Sequence, residues 1–210
     1  MDTDKQSTEA NLDRRRSHER EWVKRLCDQI KPSIQLLSEP EGAIEVCCEY
    51  PVPYAAEVFA YDAGKKKLAK HVTPRAFKSD LLILQRKDDL AWPLVIVECK
   101  YKAVTTHDAH TYNSKAGAHK NIHPYLRYGF LVGGMKGEGI PGRLFRASAN
   151  FDFLVAWQES DPSGAELETF KNLLAKEVRA AQFIRAMWME NPAKRKKTYV
   201  IHKHYVTHPQ

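Results

Sequence analysis

Apolar positions along the chain fall into two periods. From Leu12 to Leu37 they recur at Trp22, Val23, Leu26, Cys27, Ile30, Ile34 and Leu37, spacings of three and four that lay one stripe along a long helix. Pro32 sits inside it, where a proline kinks a helix or splits off its last turn. The polar stretch before Leu12 predicts a frayed end. After a turn at Glu39-Pro40-Glu41-Gly42, Ala43–Tyr50 and Ala55–Tyr61 read as strands parted by Pro51 and Pro53. Two later runs, Ser79–Leu84 and Pro93–Lys100, are apolar at almost every position, as strands buried on both faces are. The charged turn Gln85–Asp89 joins them.

Thr105-Thr106-His107-Asp108 suits a helix cap. The helix His110–His123 follows, weakly amphipathic through Ala109, Tyr112, Ala116 and Ile122. Tyr128–Val132 and Phe151–Trp157 predict strands on either side of a glycine-rich loop. Asp161-Pro162 predicts an N-cap with proline at the first helical position. The helix after it carries Leu167, Phe170, Leu174, Val178, Ala181, Ile184 and Trp188 on one stripe, so its Phe and Trp residues read as core. Lys194–Lys197 reads as a basic turn and Thr198–Val206 as an edge strand. Helices interleaved with strands predict one α/β domain over 1–210, a three-layer α/β/α sandwich with a central mixed sheet. A doubly wound nucleotide fold is disfavoured, since no glycine-rich phosphate loop follows the first strand.

The apolar runs carry charge in two places. Asp80 opens one; Glu98 and Lys100 close the other. Buried charge is costly unless it is paired or holds a metal. Alternation along a strand puts Glu98 and Lys100 on one face, with Val97, Cys99 and Tyr101 on the other. Antiparallel pairing of the two runs brings Asp80 close to Glu98 or Lys100. Converging carboxylates repel each other, and a hard divalent cation with oxygen ligands relieves this. With a lysine beside them, these groups suit metal-assisted phosphodiester hydrolysis.

Asp80, seventeen intervening residues, and Glu98-Cys99-Lys100 at the end of an apolar strand resemble the PD-(D/E)XK nuclease superfamily of restriction endonucleases and related DNA-cleaving enzymes. The resemblance spans the motif-bearing core, about 12–134: a helix, a three-stranded meander, a helix and a further strand. Ser79 replaces the motif's proline. The resemblance implies a restriction-endonuclease-like fold and Mg²⁺-dependent cleavage of double-stranded DNA, with Mn²⁺ able to substitute. It implies Asp80 and Glu98 as metal ligands and Lys100 as the catalytic lysine. An acidic residue from the first helix or strand often completes such sites; Glu21, Glu45, Glu49 and Glu57 are the candidates, with Glu49 preferred. A type II restriction endonuclease, acting as a homodimer to cut both strands, is the leading expectation. A repair or junction-resolving nuclease is the alternative within the class, and a non-catalytic nucleic-acid-binding module the alternative outside it. Residues 135–210 match nothing in the family and are assigned to recognition or dimerisation.

Other features add less. Tyr112, Lys115 and Lys120 lie on the helix after the motif, where DNA would pass, and are assigned to its phosphates; Arg127 is assigned with them, and Arg143 and Arg146 to base edges or backbone. Arg14, Arg15, Arg16, Arg20, Lys24 and Arg25 form a polar helix face, solvated or phosphate-facing, and Lys65, Lys66 and Lys67 a basic loop. His119 and His123 have zinc-compatible spacing, but no third ligand stands at a telling distance. Cys27, Cys47, Cys48 and Cys99 lack CxxC spacing and read as reduced, buried thiols. A formal charge of +7, with 43% hydrophobic and 28% charged residues, fits a globular protein with a polyanionic partner. No signal peptide or membrane span is apparent, which predicts a cytoplasmic protein.

Overall fold

A computed structural model of the chain describes residues 2–38, 42–55, 58–62, 64, 67–71 and 75–190. In chain order these form α1 (Asp2–Gln35), β1 (Ala43–Ala55), β2 (Val58–Asp62), β3 (Lys67–His71), β4 (Arg75–Lys87), β5 (Leu90–Tyr101), α2 (Thr106–Ile122), β6 (Arg127–Gly133), α3 (Gly142–Arg146), β7 (Phe153–Ala156) and α4 (Gly164–Met189). One sheet has the order β1-β4-β5-β6-β7, and β2 and β3 make a separate hairpin. The β1/β4 and β4/β5 pairs are antiparallel; β5/β6 and β6/β7 are parallel. The expected α/β sandwich with a mixed central sheet is therefore the observed one.

The two apolar runs are its centre because both faces of each strand are covered. Leu81, Ile83, Val95 and Val97 pack with Trp22, Leu26 and Ile30 of α1 and with Phe170 and Leu174 of α4. Leu82, Leu84 and Ile96 pack on the opposite face with Ala109 and Ala116 of α2 and with Tyr128 and Phe130. Each buried aliphatic side chain contributes about 1.5–3 kcal/mol. On β6, Gly129 makes room for a neighbour: a Cβ there would lie 2.0 Å from the Phe153 ring.

Several boundaries differ from the sequence expectation. The segment before Leu12 continues the helix, which also runs on through Pro32. β1 passes through Pro51 and Pro53 without breaking. It is an edge strand, so a missing N–H on its outer side costs no ladder bond. β4 starts at Arg75 rather than Ser79, which makes β1 and β4 a long two-stranded ribbon. Thr105 and Asp108 form the expected cap of α2 as a reciprocal capping box. The cap of α4 is Ser163 with Glu166, not Asp161, because the Ser-x-x-Glu spacing satisfies two backbone N–H groups at once.

Other differences concern side chains. Trp188 is 53% exposed, since it lies at the very end of α4, past the sheet. Cys27 of α1 and Cys48 of β1, expected as thiols, are paired as a disulfide with Cα atoms 6.7 Å apart; Cys47 and Cys99 are free. Glu57, Lys65, Lys66, the basic turn at 194–197 and the strand expected at 198–206 lie outside the described residues. Among the described residues no helix is long and apolar enough to cross a membrane.

Candidate active site

The site forms where the sheet forks. The β4–β5 ladder ends at Leu81↔Val97, while the first half of β4 stays with β1. Continuing the register by one step sets Asp80 opposite Glu98. On β5 the N–H groups of Cys99 and Tyr101, two residues apart, point to the edge that β4 has left. Carboxylates replace the lost strand: Cys99 N donates to Asp80 Oδ2 at 2.8 Å and Tyr101 N to Glu19 Oε2 at 3.0 Å. Lys100 Nζ donates to Glu19 Oε1 at 3.1 Å, so one carboxylate from α1 anchors both the strand end and the lysine.

The Asp80 and Glu98 carboxyls face each other across the fork, close enough to affect each other's protonation, and Tyr128 Oη donates to Glu98 Oε1 at 2.7 Å. Glu98 is 1% exposed. Burial, then the charge of Asp80, push its carboxyl up to about 8. Burial also raises Asp80. Both shifts favour the neutral form over the paired anions. Burial pulls Lys100 down, but Tyr112 and Glu19 outweigh it and keep the ammonium charged. Tyr112 of α2 lies between two lysines, with Lys100 Nζ 5.5 Å and Lys115 Nζ 4.9 Å from its ring centroid. Lys115, also 5.3 Å from the Phe77 ring, is the cation that acts on Glu98 from the α2 side. Asp80, Lys100 and Tyr112 open onto a cleft of about 680 Å³ whose other wall includes Glu19, Arg20 and Lys24 of α1.

The structure therefore brings together Asp80, Glu98, Lys100, Tyr112 and Lys115. It places Lys120 and Arg127 elsewhere. Arg127 is 4% exposed, with Nη1 3.0 Å from Asp152 Oδ1 and Nε on Glu177. Lys120 Nζ is 2.7 Å from Asp152 Oδ2. In the structure these charges hold α2, β6, the residue before β7 and α4 together, and sequence position alone did not show the carboxylates facing them.

Among the acidic candidates, Glu45 pairs with Arg86 at 2.8 Å. Glu49, on the cleft wall, pairs with Arg20 at 3.0 Å. Glu21 is exposed at the cleft rim. The residue that reaches the site is Glu19, which the sequence reading missed. A signal was available: Glu19, Trp22, Val23 and Leu26 stand at i, i+3, i+4 and i+7, so this carboxylate belongs to the buried stripe. His119 and His123 donate to the Val52 and Pro53 carbonyls, each at 3.1 Å. They tie α2 to β1, and among the described residues no third ligand joins them.

No protein family matches this chain, and no curated protein is similar to it in sequence. Among solved structures it is similar to the pre-specific restriction endonuclease BsaWI in complex with DNA, with a TM-score of 0.42 and 14% identity over 94% of this chain and 74% of that one.

Proposed function

We propose that this protein is a Mg²⁺-dependent endonuclease acting on double-stranded DNA, with Asp80 and Glu98 as the metal ligands and Lys100 as the catalytic lysine. One observation carries the reading: the buried Glu98 carboxyl and the half-buried Asp80 carboxyl meet across the forked strands, beside a lysine that shares an open cleft with Asp80. Among the described residues no three metal-ligating side chains converge, and two carboxylates are a donor set that Mg²⁺ accepts when substrate phosphate and water fill its other positions. The bound ion would polarise the phosphate and activate water. Tyr128 fixes the orientation of Glu98, and Cys99 N–H that of Asp80. Glu19 aims Lys100 at charge developing on the phosphate. Lys115 and Tyr112 supply contacts for the DNA backbone. Cutting both strands of a duplex calls for two such sites, hence a symmetric dimer, and a sequence-specific type II restriction enzyme is the finer reading.

Plasmid DNA incubated with the protein is expected to be cut with Mg²⁺ and left intact in EDTA. Discrete fragments mean sequence specificity. A retarded but uncut band with Mg²⁺ would overturn the enzyme in favour of a binding module. A second result is expected of Glu19→Gln, which keeps the side chain's shape but weakens its hold on Lys100. Cleavage should fall about 10- to 100-fold, the usual cost of losing an orienting partner, while duplex affinity in a gel shift stays unchanged. Unaltered cleavage would exclude Glu19 from positioning the lysine.

A further inference from the structure

Strands β5, β6 and β7 are parallel, so their carboxyl ends share one end of the sheet with the fork, the N-terminus of α2 and the segment after β6. Ligands of open α/β sheets bind at that end. The segment after β6 is held in place. Met135 N donates to Trp157 O at 3.0 Å and Lys136 N to Gln158 O at 2.8 Å. Arg143 Nη1 donates to the Val104 carbonyl at 2.9 Å, three residues beyond Tyr101. Lys136 and Gly137, at φ of 48° and 90°, turn the chain sharply.

This anchored segment ends in α3. Leu144 and Ala147 are buried there, but Phe145 between them is 65% exposed. Its setting sets it apart from the other exposed large apolar residues described, Leu36, Leu90, Ile122, Trp188 and Met189. Those lie by the β4–β5 turn or at the C-terminal ends of α1, α2 and α4, toward the opposite end of the sheet. Arg146, next to Phe145 in the chain, is exposed and makes no ion pair among the described residues.

We propose that Phe145 and Arg146 form a DNA-distorting contact, the ring wedged against a base step while the guanidinium holds an adjacent phosphate. Duplex DNA is favoured over a second copy of the chain on two grounds. The flanking charge is positive, and one ring is far too small a patch for a stable protein interface. An apolar wedge in a groove unstacks a step and bends the duplex. The inference rests on the nuclease reading for its substrate.

The test uses the full chain in EDTA with duplexes carrying 2-aminopurine at successive positions. Wild type is expected to raise the fluorescence at one step. Phe145→Ala should bind about tenfold more weakly and leave the fluorescence flat, and Phe145→Trp should restore both. Arg146→Gln should lower the slope of log affinity against log salt by about one. If Phe145→Ala binds and unstacks as wild type does, the wedge is wrong. If it converts a dimer to a monomer in sedimentation, Phe145 is a subunit contact and the wedge is equally wrong. Cleavage of the same duplex with Mg²⁺ separates the two claims. Wild type that unstacks DNA but never cuts removes the nuclease and keeps the wedge; cutting and binding unaffected by Phe145→Ala remove the wedge alone.

Discussion

Glu98→Gln is expected to leave a folded protein that melts at a higher temperature than wild type at pH 8 and cuts DNA at least about a thousandfold more slowly. The two effects share one cause. Glu98 is buried against Asp80, and in the absence of a cation two such carboxylates cannot both ionise without cost. Gln keeps the acceptor oxygen for Tyr128 Oη and offers an N–H to Asp80, but supplies no negative charge for a metal. A residue placed there for stability would behave the other way, with Tm falling on substitution. The wild-type pH dependence follows. The Glu98 carboxyl is raised from an ordinary value of 4.5 to about 8 in the fold. The folded state therefore binds more protons than the unfolded chain across that interval, and stability falls as pH rises through it. Its contribution is complete below about 4.5 and gone above about 8. Metal-free Tm should decline from pH 5 to pH 8 in wild type and decline much less in Glu98→Gln. Thermal melts in EDTA at several pH values check this; a Tm that rises with pH in that window and is lowered by the substitution would falsify the coupled carboxyl pair.

Arg127→Met should cost about 3–5 kcal/mol, because it leaves buried carboxylates without their cation. Arg127 is the centre of a network: Asp152, with a side chain 4% exposed, accepts from Arg127, from Lys120 and from Tyr128 N, while Glu177 of α4 accepts from Arg127 Nε. Methionine fills much of the volume but leaves Glu177 unpaired. In a chain of this size, each kcal/mol moves Tm by roughly 2–4 °C, so a drop of about 10 °C is expected. Arg127→Met combined with Glu177→Gln should recover part of it, since the stranded charge is then removed. Duplex affinity, measured below the melting transition, should stay near wild type. A stable variant with weak DNA binding would instead support Arg127 as a phosphate contact.

The helices and central strands were legible because their apolar periods are local facts. Six stripe positions on α1 and two nearly continuous apolar runs can pack in few ways. That Asp80 comes near Glu98 or Lys100 was legible too, but the choice was not: the turn register alone would set Asp80 across from Val97, and a register shift between Ile83 and Leu84 brings it to Glu98. Boundaries governed by place in the sheet were not legible either. Pro51 and Pro53 look like breakers until β1 is known to be an edge, and β4 looks short until β1 is seen beside its polar first half. The cap of α4 had its own local signal in Ser163 and Glu166, passed over for Asp161-Pro162.

Long-range pairing set the limit elsewhere. Glu19 lies 81 residues from Lys100, and Asp152 and Glu177 lie 25 and 50 residues from Arg127. No spacing rule reaches that far, so a buried arginine and a phosphate-binding one read alike. By itself the sequence determined the sheet's core strands and put Glu98 and Lys100 on one face of β5, because period-two alternation places them without help from the rest of the chain. Only the tertiary structure decided which distant charges complete that site and which hold the layers together, because the partner of a buried charge is chosen by proximity in space.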